Sequence, residues 1–273
     1  MKISIVTPSW NQGRFLRRCL ESIRPAPGLA VEHIVLDNCS DDETPALLAE
    51  FATRDDGVTR RFIIEKDNGQ TRAINDGFRM ATGDVVCWLN TDEWYADRAL
   101  EKVAQHFAAS PNTDFLYGNC DFVGSKGQTI QHRRSLGFRP DMLLYYGCFI
   151  SSAAAFVRRR AVDEGELLDP QYRVAMDYEW YVRLAARGYR FAHIVDTLAF
   201  FTWHADNISK TFYKRSVEEG LMIQRAYGES SIPLLMQPAV SKARRTLWKG
   251  RRTVERITRR RASDSHGPRA WLR

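Results

Sequence analysis

Paired cysteine is the first thing this chain lacks. Its five cysteines, Cys19, Cys39, Cys87, Cys120 and Cys148, are odd in number, form no CxxC pair and have no histidine at zinc spacing. That excludes a disulfide framework or a structural zinc as the basis of the fold and fits a reducing compartment. No run of eighteen apolar residues occurs, and Met1-Lys2 leads into only a short apolar stretch, Ile3-Ser4-Ile5-Val6. Neither a membrane span nor a secretory leader is expected, and the expected location is cytoplasmic. GxGxxG and GxxxxGK[ST] are also absent, which argues against a dinucleotide-dependent dehydrogenase and a P-loop NTPase. There is no internal repeat and no low-complexity linker.

What is present suffices for a large core. With 273 residues, 44% hydrophobic and 11% aromatic, the chain makes one large domain or two small ones. The net charge of +7 is uneven: from Lys242 onward lie 12 of the 40 basic residues but 2 of the 33 acidic ones. Residues 1–241 therefore carry 28 basic against 31 acidic side chains. The body needs no polyanionic partner, and no nucleic acid is expected.

Short Val/Ile/Leu runs alternate with helical spacing four times in the first 90 or so residues. Lys2–Pro8 reads as a strand, followed by a helix carrying Phe15, Leu16, Cys19, Leu20 and Ile23 that Pro25 and Pro27 stop. A second strand, Glu32–Leu36, precedes a helix opened by Thr44-Pro45, and a third, Arg61–Glu65, precedes one containing Ala73, Ile74, Phe78 and Met80. Gly83 closes that helix, and Asp84–Leu89 is the fourth strand. This pattern predicts an α/β doubly wound, mainly parallel sheet. Later elements are less regular: a helix over Asp97–Ser110, strands near Phe115–Tyr117, Ala153–Val157 and Phe191–Val195, a hairpin round Gly124–Gly127, and a helix over Asp177–Arg187.

Acidic clusters stand at two strand ends. Asp37-Asn38-Cys39-Ser40-Asp41-Asp42 follows the second strand and Asn90-Thr91-Asp92-Glu93 the fourth. Ligands of such sheets bind beyond the strands' carboxyl ends. Asp and Asn are also the commonest turn and capping residues, and turn capping competes evenly with ligand binding at the first cluster. The second has no periodic helix behind it, and its hard oxygens suit Mg²⁺ or Mn²⁺ completed by phosphate oxygens.

Four motifs in order, Thr7-Pro8-Ser9-Trp10-Asn11, Asp37–Thr44, Asp67-Asn68-Gly69-Gln70 with Ala73–Gly77, and Ala81–Asp84 with Leu89–Glu93, resemble those of family 2 glycosyltransferases with the GT-A (Rossmann-like) fold, inverting and of the bacterial polysaccharide type. The match spans residues 1 to about 205. The resemblance implies a nucleotide-sugar-binding half at 1–115 and an acceptor-binding and catalytic half at 116–212; the residues beyond it, 213–273, read as a basic helical extension. It assigns Thr7, Ser9, Asp37, Asp67, Arg72, Asn90 and Thr91 to the donor nucleotide and sugar diphosphate. It also gives Asp92 and His204 to a divalent cation, Mn²⁺ or Mg²⁺, and Asp177 to general base catalysis. Asn90 stands where the family carries the first Asp of DxD, Met176 where a Glu is usual, and Thr202 where an Arg precedes the His. Glu179, Glu93 and Trp180 stand by as reserve bases or acceptor contacts.

The implied reaction moves a sugar from a UDP, GDP or dTDP sugar to a hydroxyl of a glycan or lipid-linked acceptor. A nucleotidyltransferase, or a nucleotide-sugar-binding protein without transfer, is the rival reading, and RNA binding through the tail a third. In the tail, Val240, Ala243, Leu247, Gly250, Val254 and Ile257 recur at helical spacing among ten basic residues between Lys242 and Arg261. A basic amphipathic helix over 240–261 suits an anionic membrane surface at the inner face of the cell membrane and equally suits packing on the protein itself or within a homodimer.

Overall fold

A computed structural model describes residues 1–124, 127–204, 207 and 211–228. The expected amphipathic helix of the tail lies outside the described residues. No helix among those described is long and apolar enough to cross a membrane.

The first half alternates as the apolar spacing requires: β1 (Lys2–Ser9), α1 (Gly13–Ser22), β2 (Ala30–Asp37), α2 (Thr44–Ala52), β3 (Val58–Ile64), α3 (Gln70–Met80) and β4 (Val85–Trp88). There follow β5 (Glu93–Tyr95), α4 (Ala99–Ala109), β6 (Phe115–Gly124), β7 (Thr129–Arg133), α5 (Pro140–Tyr146), a 3₁₀ turn at Ser152–Ala154, β8 (Ala155–Arg158), α6 (Arg160–Asp163), α7 (Met176–Ala186), β9 (Phe191–Trp203) and α8 (Tyr213–Tyr227). One sheet runs through both halves in the order β3-β2-β1-β4-β8-β6-β9-β5, with β7 on β6. The β3-β2-β1-β4 side is parallel, while β8 and β5 run antiparallel to their neighbours.

Both faces of this sheet are covered, which is why β1, β2 and β4 read as unbroken apolar runs. On one face Val6, Ile34, Phe78, Trp88, Tyr117 and Trp180 belong to a core shared by α3, α5 and α7. On the other, Ile3, Ile5, Cys19, Leu100, Val103 and Phe107 pack β1 against α1 and α4. The approach of α3 to β1 is close. A Cβ on Gly77 would stand 2.4 Å from Val6 Cγ1, so only glycine fits there.

Two elements exceed the expectation from sequence. β6 and β9 run to 10 and 13 residues, and β5 begins directly after the acidic turn at Asp92. The extra length lets β9 pair with β5 at Glu93↔Phe201, bringing the end of β9 to the acidic turn.

Candidate functional site

Beyond the carboxyl ends of the parallel strands the polar side chains collect. The β1–β2 register sets Ser9 beside Asp37. Asp37 is buried, and its two oxygens accept the Ser40 N–H at 2.8 Å and the Ser40 hydroxyl at 2.6 Å. Ser40 Oγ in turn accepts the Asn11 N–H at 2.8 Å. Asp37 thus orders the turn, and the capping role is present whatever else it binds. Ser9 Oγ is buried without a hydrogen-bond partner, an arrangement that costs free energy unless a ligand supplies one. Thr7 has no exposed surface; its hydroxyl meets His33 Nε2 at 2.8 Å, so the structure turns its side chain into the sheet instead of toward a ligand.

Asp67 stands across from this turn. It accepts the Gly69 N–H at 2.8 Å and its own N–H reaches Asn38 Oδ1 at 3.0 Å, tying the entry of α3 to the Asp37 loop. Arg72, exposed in the first turn of α3, has no side-chain hydrogen bond or ion pair among the described residues.

The turn after β4 is held from several sides. Asn90 Oδ1 accepts from Gln70 Nε2 at 2.8 Å, and the Thr91 hydroxyl bonds the Gln12 side-chain oxygen. Asp92 Oδ2 accepts from Asn207 Nδ2 at 3.0 Å and faces His204 Nε2 at 3.1 Å. Asn207 Oδ1 takes the His204 N–H at 2.7 Å, and the His204 ring stacks on Phe15 at 4.7 Å. Gln12, Gln70, Phe15 and Asn207 were not singled out from sequence as site residues; Gln70 lay inside a recognised motif and Gln12 just beyond one, but nothing in their spacing set them apart.

Among the described residues no three His, Cys, Asp or Glu side chains converge as ligands. The donors present nevertheless fit a divalent cation. Two ligand atoms bound at right angles on an ion at about 2.1 Å lie about 3.0 Å apart, and Asp92 Oδ2 and His204 Nε2 are separated by 3.1 Å. Such an ion would need further oxygens, which a diphosphate supplies.

Asp177 opens α7, half-buried, with Oδ1 accepting the Tyr178 N–H at 2.7 Å. Burial pushes its carboxyl up to about 6, against the pull of the Tyr178 N–H and the Arg133 guanidinium. The helix start itself is clamped from α8: the Glu219 carboxylate accepts the N–H groups of Arg173, Val174 and Ala175 at 3.1, 2.9 and 2.8 Å.

The reserve residues are otherwise engaged. Glu179 is buried, accepts from Arg183 Nε at 2.9 Å and from the Tyr227 hydroxyl at 2.7 Å, and so holds helices together. Trp180 is 1% exposed, packs on Phe78 and Trp88, and donates to the Glu166 carbonyl; it is core and not an acceptor contact. Glu93 is buried beneath the acidic turn, accepting the Asn90 N–H at 2.8 Å. Burial and the neighbouring Asp92 charge push its carboxyl up to about 8.

The family model for glycosyl transferase family 2 matches residues 4–166, which contain the Ser9, Asp37 and Asp92 turns. The chain belongs to glycosyl transferase family 2. It is similar to an uncharacterized glycosyltransferase of Nostoc, 24% identical over 186 residues, which cover 65% of this chain and 57% of that protein. The O-antigen biosynthesis protein RfbC of Myxococcus xanthus is 33% identical over 142 residues, 51% of this chain and 11% of that one. The succinoglycan biosynthesis protein ExoO of Rhizobium meliloti is 25% identical over 217 residues, 74% of this chain and 60% of that one. The chain spans from 11% to 66% of the length of these and other similar curated relatives. Among solved structures, S. aureus TarS 1–349 in complex with UDP-GlcNAc superposes with a TM-score of 0.67 at 15% identity, covering 87% of this chain and 69% of that one. The mannosyltransferase PcManGT of Pyrobaculum calidifontis, in complex with GDP-Man and Mn²⁺, gives 0.61 at 18% identity, covering 90% and 69%. The fold of this family 2 member is accordingly that of the GT-A glycosyltransferases.

Proposed function

We propose that the protein transfers a sugar from a nucleotide-diphosphate sugar to a hydroxyl of a glycan or lipid-linked acceptor, inverting the anomeric centre. The observation that carries this reading is the Asp92–His204 pair, 3.1 Å apart at the end of the parallel strands, in a family 2 chain. Ser9, Asp37 and Asp67 bound the nucleotide end of the cleft. The unpartnered Arg72 guanidinium and the amide of Asn90 lie toward the diphosphate. When bound, a Mn²⁺ or Mg²⁺ ion held by Asp92 and His204 would offset the charge of the departing diphosphate.

Asp177 accepts the proton of the acceptor hydroxyl as its oxygen forms a bond to the anomeric carbon. On the opposite face the bond from that carbon to the diphosphate oxygen breaks, and the nucleoside diphosphate leaves with the electron pair. A single displacement needs no protein nucleophile. The carboxyl near 6 suits a base at neutral pH, being mostly ionised there yet more basic than an exposed Asp. The neighbours in complex with UDP-GlcNAc and with GDP-Man and Mn²⁺, and relatives named for O-antigen and succinoglycan biosynthesis, support the donor class and a polysaccharide setting.

The test begins with a thermal-shift screen of UDP, GDP and dTDP sugars with Mn²⁺, because a ligand that binds the folded state raises the melting temperature. With the donor so found, Asp177→Asn is expected to keep nucleotide binding and lose transfer by a factor of about 10²–10⁴. Transfer at the wild-type rate by that variant refutes the base assignment.

A further inference from the structure

One surface continues directly from the donor groups. In the β5–β9–β6 register Phe201 lies between Glu93 and Phe122, and strand alternation sets Phe201 and Trp203 on one face. There the rings of Phe122 and Trp203 lie 16° from parallel with centroids 5.8 Å apart, and Phe122 and Phe201 meet at 5.1 Å and 48°. The next residue after Trp203 is His204. Trp203 is 39% exposed, a large ring left open one residue before His204.

Arg133 borders these rings. It enters from β7, its guanidinium 5.3 Å from the Phe122 centroid, and gives one N–H to the Cys148 carbonyl at 3.0 Å. Its other N–H groups have no partner among the described residues, and its charge acts on Asp177. An apolar helix or a lipid chain would cover the rings and leave those donors unsatisfied. A sugar ring supplies both needs: a C–H face for the aromatic rings and hydroxyl oxygens for the arginine.

We propose that Phe122, Phe201 and Trp203 form a stacking platform for a pyranose ring of a glycan acceptor, with Arg133 hydrogen-bonding that sugar. The proposal rests on the transferase reading, since it gives the platform the task of aiming an acceptor hydroxyl at Asp177. Trp203 supplies the open face, Phe122 and Phe201 back it, and the β9 backbone joins it to His204 on the donor side.

The experiment uses the full chain with Trp203→Ala, the conservative Trp203→Phe, and Phe122→Leu. The probes are a panel of methyl and p-nitrophenyl hexopyranosides and short oligosaccharides. Two readouts are taken: acceptor KM in transfer, and quenching of intrinsic tryptophan fluorescence by saccharide in the presence of nucleoside diphosphate. Hydrolysis of the donor by water, together with the melting temperature, monitors the donor site. Trp203→Ala is expected to raise acceptor KM at least about tenfold and to lose the saccharide-dependent quenching, an effect larger than that on donor KM in hydrolysis. Trp203→Phe should restore most of the acceptor affinity. Acceptor KM within twofold of wild type in Trp203→Ala overturns the platform, as does a Trp203-dependent response to dodecyl-chain micelles and to none of the saccharides. A wild-type protein that binds no nucleotide sugar and transfers to no acceptor of the panel would instead sink the transferase reading, and the quenching arm would still decide whether Trp203 binds sugar.

Discussion

A carboxyl raised by burial leaves two marks, one kinetic and one thermodynamic. Asp177 must be ionised to accept a proton, so kcat/KM should fall as pH drops through about 6, and a pH–rate profile inflecting near 4 would exclude it as base. The folded chain also holds this proton between about pH 4 and 6, where the unfolded chain releases it. Stability therefore declines as pH rises through that window. Asp177→Asn should accordingly melt higher than wild type at pH 7–8 while losing transfer, gaining about 2–4 °C per kcal/mol recovered. Asp92 accepts the Asn207 side-chain N–H and faces His204 Nε2, so Asp92→Ala should abolish cation-dependent turnover and also cost about 1–3 kcal/mol for the donor left unpaired, seen as a lower melting temperature. At this scale the sequence offered Asp92 and Asp177 as candidates through the motifs that hold them and the family those motifs resemble. It was unreadable where the deciding partner is remote in the chain. Glu179 looks as apt a base as Asp177 by spacing, and only Arg183 and Tyr227 reveal its structural task.

Elements place these residues by support that crosses the chain. The first turn of α7 carries Asp177, and the three backbone N–H groups just before that helix, of Arg173, Val174 and Ala175, are taken by Glu219 on α8. A carboxylate at a helix N-terminus is favoured by the dipole. Burial alone would raise Glu219, but the bonds from Arg215 and the three N–H groups hold it below the usual carboxylate range. Its contribution is fully present above the unfolded value and is lost as pH falls below that value through the depressed folded one. Glu219→Gln is expected to cost about 1–3 kcal/mol and to lower kcat more than donor affinity, because it frees the turn that aims Asp177; unchanged kcat would separate α8 from the site. The four β-α alternations were legible because parallel strands and amphipathic helices have distinct periods. β5 and the outer half of β9 were not, since a three-residue strand has no period and β9 mixes both faces.

At the scale of the whole molecule charge and cooperativity matter. The ten basic residues between Lys242 and Arg261 would each contribute about 1 kcal/mol near an anionic surface, an upper limit since a helix presents only part of its circumference. The full chain should sediment with anionic vesicles at low salt and be released at high salt, whereas a chain ending at Ser241 should stay in the supernatant; equal partitioning would refute membrane attraction. The body, by contrast, is built on one sheet that includes every described strand from β1 to β9. Three thiols are sealed at separate points of that body, Cys19 on α1, Cys87 on β4 and Cys120 on β6, while Cys39 lies exposed in the Asp37 turn. The protein therefore carries its own alkylation clock. An iodoacetamide-type reagent should label Cys39 in the native state, bound nucleotide should shield it, and the three sealed thiols should become reactive together, in one step, when the body opens.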